Sequence, residues 1–418
     1  MSNLDRLDHS RLNVDYTGEG APLFRLALKT TMLTVVTLGF YRFWARTRLR
    51  RYYWSALRPG GDPFEYTGTG LEKFLGFLIA VAFLSVYLGL FNSALIFGGL
   101  IAWPFGDGSF NEASMQLAFN LSFLALLPVI FYAQYRGRRY MLSRTRWRGI
   151  RFGAEQAAFG YMWRAIGHTI LTVITLGVLL PRQTYFLEKY MYDRTWFGDG
   201  QFEMGGKWQE LWPAMKHLVI GVLILGGSGA MIALGSALVV LGFIGLIVGY
   251  VWAFVGFVHY GIKSFEIMAG QKRLNGDVLF VSEPSTGKVI GQTLLGSFIA
   301  STIASFILAV GLAVLAVFAR IFGVFDVIDF SDPTAFDGMI EGSLPVLVIA
   351  GFIPGYVLFL AFFFALSQVF ITQPILEHYA AQTQVINPEA LMSIEQRAQD
   401  DFADAEGFAD ALDVGAAI

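Results

Sequence analysis

VIGVLILGGSGAMIALGSALVVLGFIGLIVGYVWAFVGFV, residues 219–258, is a run of forty residues without one charged side chain. A helix needs about 20 apolar residues to cross the hydrocarbon core of a bilayer. The run is therefore long enough for two spans with a tight turn near Gly235 and Ser236. Gly242, Gly245, Gly249 and Gly256 recur along it at spacings that let two helices pack closely. Residues 74–103, 289–318 and 344–372 are comparable runs, and Pro354, between Gly351 and Gly355, is expected to kink the last. Over all 418 residues, 55% belong to the hydrophobic set and 15% are charged, against roughly 45–50% apolar and 25% charged in a soluble domain. A soluble core could not hide so many apolar helices, and the chain reads as a polytopic integral membrane protein. Its polar first 22 residues lack the pattern of a cleaved signal. The chain has no cysteine, which excludes disulfides and thiolate chemistry.

Beside this run stands an internal duplication. Residues 33–39 read LTVVTLG and residues 171–177 read LTVITLG. The same offset of 138 pairs Phe64-Glu65 with Phe202-Glu203 and Gly68 with Gly206. A second motif recurs as VDYTGEG (14–20) and FEYTGTG (64–70), with looser echoes at 148–152 and 274–280. Tyr and Thr favour extended backbone and glycine permits tight bends, so these read as short extended lead-ins to the apolar segments. Gly39 and Gly177 end the two repeated apolar segments where a helix would stop.

Charge orients the chain. Residues 42–58 hold Arg42, Arg46, Arg48, Arg50, Arg51 and Arg58 and no acid, and residues 136–151 hold seven arginines and no acid. Residues 104–114 and 319–344 carry acids, with only Arg320 in opposition. Short Arg-rich loops stay cytoplasmic, which puts both basic segments inside and both acidic ones outside. Counting 23–45 and 160–180 as spans gives the alternative architecture, eight transmembrane helices. That count places the near-copies VDYTGEG and FEYTGTG on opposite faces. It also puts Arg25 and Lys29 at membrane depth, in a segment of 16 residues that reaches only about 24 Å.

The preferred reading is an all-α polytopic protein of three transmembrane hairpins, six spans in all. Two repeated re-entrant or interfacial helix pairs lie on the cytoplasmic side, and both termini are cytoplasmic. The chain then divides into a polar lead-in (1–22), a first repeat unit (23–73) and a first hairpin (74–135). A basic inner segment with the second repeat unit (136–211) and a second hairpin (212–262) follow. A connector (263–288), a third hairpin (289–372, external loop 319–343) and an acidic C-terminal tail (373–418) complete it.

With the YTGxG lead-in, the stretch LTVVTLGFYRFWARTRLRRYYW (33–54) and the second copy FEYTGTG, the chain resembles the YjgN-like family of bacterial inner-membrane proteins. The resemblance implies a bacterial inner membrane and a multi-pass fold, and it supplies no catalytic residue. The second repeat departs from the pattern, with Leu179-Leu180-Pro181-Arg182 where the first has Tyr41-Arg42-Phe43-Trp44.

Enzymatic signatures are missing. SEPSTGK (282–288) lacks the first glycine and the closing Ser or Thr of a phosphate loop, and the five histidines have no HExxH spacing. No metal, cofactor or nucleic-acid partner is expected, nor is an enzyme. What remains is electrostatic. Arg42, Arg46 and Arg50 fall at i, i+4 and i+8 of one helix, with Trp44 among the interfacial aromatics beside them. These are the candidate contacts for anionic lipid or solute. Lys29, Arg164 and His168 are the candidate intramembrane polar groups, and membrane lipid is the expected partner, beside a homo-oligomer or another membrane protein. Broken helices and internal repeats favour a transporter or channel-like protein for a small or lipid-like solute. The alternative is a non-catalytic membrane organiser that binds anionic lipid or a protein through its Arg-rich inner face.

Overall fold

The fold is that of a computed structural model, which describes residues 11–98, 112–235, 238–321 and 353–398. Helix pairs alternate with β-hairpins along the chain. Strand β1 (Arg11–Tyr16) leads into α1 (Gly20–Val36) and α2 (Arg42–Ala56), followed by β2 (Leu57–Pro59) and β3 (Phe64–Tyr66). Then come α3 (Gly70–Phe97) and α4 (Glu112–Ser143) with β4 (Thr145–Trp147) and β5 (Ile150–Ala154). The third set is α5 (Ala158–Ile174) and α6 (Leu180–Tyr192) with β6 (Thr195–Phe197) and β7 (Gly200–Met204). A 3₁₀ segment (Trp208–Met215) opens the fourth set, α7 (Lys216–Leu234) and α8 (Leu238–Gly270) with β8 (Lys272–Leu274) and β9 (Val278–Ser282). The last comprises α9 (Thr286–Ile321), α10 (Ile353–Ser367), a π turn (Gln368–Thr372), α11 (Gln373–Ala381) and β10 (Thr383–Ile386).

Six of these helical segments are long and apolar enough to cross a membrane, among them Gly70–Phe97, Leu238–Gly270 and Ile353–Ala381. Six such segments are the number expected from the sequence. Helices α1 and α5, at 17 residues each, are not among the six. The turn at Ser236, residues 322–343 of the acidic external loop and the tail beyond 398 lie outside the described residues.

An all-α description needs correction. The short extended pieces assemble into one ten-stranded sheet in the order β2-β1-β10-β9-β8-β7-β6-β5-β4-β3. Its two end strands are consecutive in the chain, joined by the turn 60–63, so the order runs once round a ring. Every register that can be read is antiparallel, from Leu12 opposite Val385 to Phe64 opposite Trp147. An apolar cavity of about 80 Å³ at its centre is lined by one residue from each strand (Leu12, Pro59, Phe64, Trp147, Phe152, Phe197, Phe202, Leu274, Phe280 and Val385) and by Leu391. The pleat explains this. In β7, Phe202 and Met204 point inward while Gln201 and Glu203 are exposed, as period-two alternation requires. The left-handed pair Arg148 (φ 52°) and Gly149 (φ 77°) closes the β4–β5 hairpin as a two-residue turn.

The expected C-terminal tail also begins later than 373. Residues 373–381 are helical, and 383–386 form β10 between β1 and β9, closing the ring with the two ends of the chain. The two near-copies of the lead-in motif are strand ends with one local geometry. A Cβ on Gly18 or Gly68 would collide with the ring of Tyr16 or Tyr66, two residues earlier in each case.

The described residues form two compact bodies. One comprises 11–15, 54–98, 112–235, 238–286 and 379–398 and holds the ring; the other comprises 16–53, 287–321 and 353–378. In the first body, α7 and α8 pack backbone against backbone. A Cβ on Gly256 would lie 2.5 Å from the Leu218 nitrogen, and one on Gly221 2.6 Å from the Ala253 Cα. Gly256→Val is therefore expected to push the two helices apart and to cost about 1–3 kcal/mol, the usual range for overpacking. Denaturation in mixed micelles measures it, and an unchanged midpoint would refute the close approach. In the second body, Ala300 and Ala304 of α9 pack with Leu366 and with Phe24 of α1. Tyr53 donates to Gln368 Oε1 at 2.8 Å, at the first residue of the π turn.

Candidate functional site

The repeated LTxxTLG segments have the same backbone and the same hydrogen bonds. Thr37 Oγ1 donates to the Leu33 carbonyl at 2.7 Å and accepts from the Tyr41 N–H at 2.9 Å. Thr175 Oγ1 donates to Leu171 at 2.8 Å and accepts from Leu179 at 3.2 Å. One threonine thus ends the first helix and caps the second. Gly39 N–H reaches back to Thr34 at 2.7 Å, and Gly177 N–H to Thr172 at 2.8 Å. Gly39 (φ 94°) and Gly177 (φ 88°) hold left-handed conformations that a side chain would strain. Both helix breaks therefore stand where the two glycines mark them. The tips are apolar and exposed, Leu38 at 89% and Leu176 at 93%.

Behind the first tip lies a cleft of about 230 Å³ between α1 and α2, lined by Thr31, Thr34, Arg42, Ala45, Arg46, Leu49 and Phe364. Thr31 and Thr34 line it from α1 and Arg42 and Arg46 from α2, and Leu49 and Phe364 supply apolar surface. The first turn of α2 carries no acid. Its N-terminal dipole and both arginines therefore favour an anion at the same end.

The second repeat shows what this cleft would look like closed. At the offset of 138, Thr31 corresponds to Thr169 and Ala45 to Gln183. Gln183 Nε2 donates to Thr169 Oγ1 at 3.0 Å, and Arg182 Nη1 meets His168 Nδ1 at 3.1 Å. These bonds bridge α5 and α6. In the first repeat Ala45 is too short to make the bridge, and Leu180 stands where the first repeat has Arg42.

Of the residues singled out from sequence, Arg42 and Arg46 meet in the cleft. Arg50 does not line it and is buried at 8% exposure. Trp44 stacks on Tyr41 at 6.1 Å, outside the lining. Lys29 is exposed on α1. Arg164 donates to the Gly160 carbonyl and lies 4.6 Å over the Tyr190 ring, while His168 stacks on Phe186. These two residues hold the second helix pair together. The lining residues not singled out from sequence are Thr31, Thr34, Ala45, Leu49 and Phe364. Their available signal was the contrast of Ala45 with Gln183 in aligned repeats.

A second polar cluster lies in the ring's own body. Glu188 of α6 bonds Lys272 Nζ at 2.8 Å and lies 3.9 Å from Arg138. Burial would raise its carboxyl, but the two cations outweigh that and hold it at about 2.

Residues 11–302 match the family described as bacterial protein of unknown function, DUF898. The inner membrane protein YjgN of Salmonella typhimurium is 25% identical over 180 residues, 43% of this chain and 40% of that protein. Its counterpart in Escherichia coli O157:H7 is 26% identical over 187 residues, 45% of this chain and 41% of the relative. The matched region thus spans about two-fifths of the length of these relatives. No solved structure matches the chain. The YTGxG lead-ins, the paired LTxxTLG turns and a family match over most of its length place this polytopic membrane protein in the DUF898 family of bacterial proteins of unknown function.

Proposed function

We propose that the protein is a non-catalytic inner-membrane component that binds the phosphate of anionic lipid in the α1–α2 cleft, with both termini cytoplasmic. The observation that carries this reading is the pairing of Arg42 and Arg46 at a cleft that the second repeat bridges with Gln183 and Thr169. Exposed apolar tips at Leu38 and Leu176 support insertion of both helix pairs into the cytoplasmic leaflet. An inserted tip brings the cleft behind it to headgroup depth, where a basic residue gains about 1 kcal/mol from anionic lipid.

Binding of phosphatidylglycerol and of phosphatidylcholine to the purified full chain tests the proposal. Preference for the anionic lipid is expected, and Arg42→Gln with Arg46→Gln should weaken it by about 2 kcal/mol, roughly 30-fold. Ala45→Gln, which copies the second repeat, should close the cleft and weaken binding without loss of fold. Equal affinity for both lipids, or binding untouched by these changes, would sink the idea. A transporter or channel for a small or lipid-like solute is a second reading, motivated by the same broken helices flanking a cleft. Solute flux in proteoliposomes that is abolished by Ala45→Gln would favour it over a purely binding role.

A further inference from the structure

A groove of about 450 Å³ lies in the other body, between α3, α4 and α5. Its two long walls are stripes at helical spacing. Ile79, Phe83 and Tyr87 face from α3, and Pro128, Tyr132 and Arg136 from α4, each set at i, i+4 and i+8. Each stripe covers about 12 Å of helix. Phe159 and Met162 of α5 complete the lining, with the Tyr132 and Phe159 ring centroids 4.9 Å apart. Pro128 lies inside α4 and has no N–H to give the preceding turn. Tyr87 bridges the gap by donating to the Ala125 carbonyl at 2.9 Å.

The groove is polarised along its length. The Tyr87 and Pro128 end is apolar and lies in the middle of two candidate spans. The other end carries Arg136, the one charged residue of the lining, whose guanidinium lies 5.7 Å from the Tyr132 ring centroid. Beyond it the chain continues into the Arg-rich segment 138–151. An occupant must therefore be apolar where the membrane is deep and anionic where it is shallow.

The geometry points to a lipid site separate from the α1–α2 cleft, in which an anionic phospholipid lays an acyl chain along Phe83 and Val129, the α4 residue that lines the groove next to Pro128, and its phosphate against Arg136. It shares no residue with that cleft, and the two can fail independently. The full chain in vesicles of phosphatidylcholine with phosphatidylglycerol carrying a photoreactive acyl chain tests it. Labelling is expected on peptides around Phe83, Val129 and Met162, and unlabelled phosphatidylglycerol should compete for it where phosphatidylcholine does not. Arg136→Gln should weaken that competition roughly fivefold, and Val129→Trp or Met162→Trp should remove the labelling. Ala45→Gln should leave it unchanged. Labelling spread evenly over the exposed faces of α7 and α8, competed equally by both lipids and indifferent to the tryptophan variants, would mean ordinary annular lipid and overturn the site.

Discussion

Replacing Glu188 by glutamine is expected to destabilise the protein by about 3–5 kcal/mol, the range for removing one partner of a buried ion pair. The carboxylate neutralises Lys272, whose side chain is 9% exposed, and supports Arg138 from α4. Both cations also lie over the Tyr192 ring, at 4.1 and 5.8 Å. Glutamine fills the same volume but leaves the two charges without a counterion. The effect depends on pH in a defined direction. The folded carboxyl sits at about 2, below the ordinary 4.5 expected when unfolded. Above 4.5 both states are ionised and the contribution is complete. As the pH falls from 4.5 towards 2, the unfolded state takes up the proton first and the contribution disappears. Denaturation midpoints of the two proteins should therefore differ most at neutral pH and converge near pH 2. A constant difference across that window would show that the charge of Glu188 is not what stabilises the fold.

Truncating Phe197 to alanine is expected to cost a similar 3–5 kcal/mol, as for other buried aromatic residues. Phe197 is 2% exposed, 4.6 Å from the Phe152 ring centroid and 5.9 Å from that of Trp147. The ring already encloses an apolar cavity of about 80 Å³. Its strands are three to six residues long, so side-chain packing across the centre must support what few ladder bonds each strand makes. Phe197→Leu, which keeps most of the apolar volume, should cost less than half as much. Equal losses in the two variants would argue against a packed centre.

Of the residues lining the cleft, helical spacing along α2 points to Arg42 and Arg46 alone, for a physical reason. The same spacing sets Arg50 with them at the next i+4 step. Each such step overshoots a full helical turn by about 40°, so by Arg50 the side chain has rotated out of the cleft and into a buried position. Thr31 and Thr34 join the arginines only because the Gly39 turn folds α2 back beside α1, and Phe364 comes from the far end of the chain.

Composition and local pattern by themselves determined the membrane class, the six long apolar helices and the two glycine-broken pairs. Each of these depends on residues adjacent in sequence: an uncharged run longer than the bilayer is thick, or a threonine whose hydroxyl caps the helix four residues on. The ring was decided by tertiary structure alone. Its three-residue strands are too short for an alternation signal. The bonds that close it also join Leu12 to Val385 and Phe202 to Leu274, residues brought together only when the intervening helix pairs have folded.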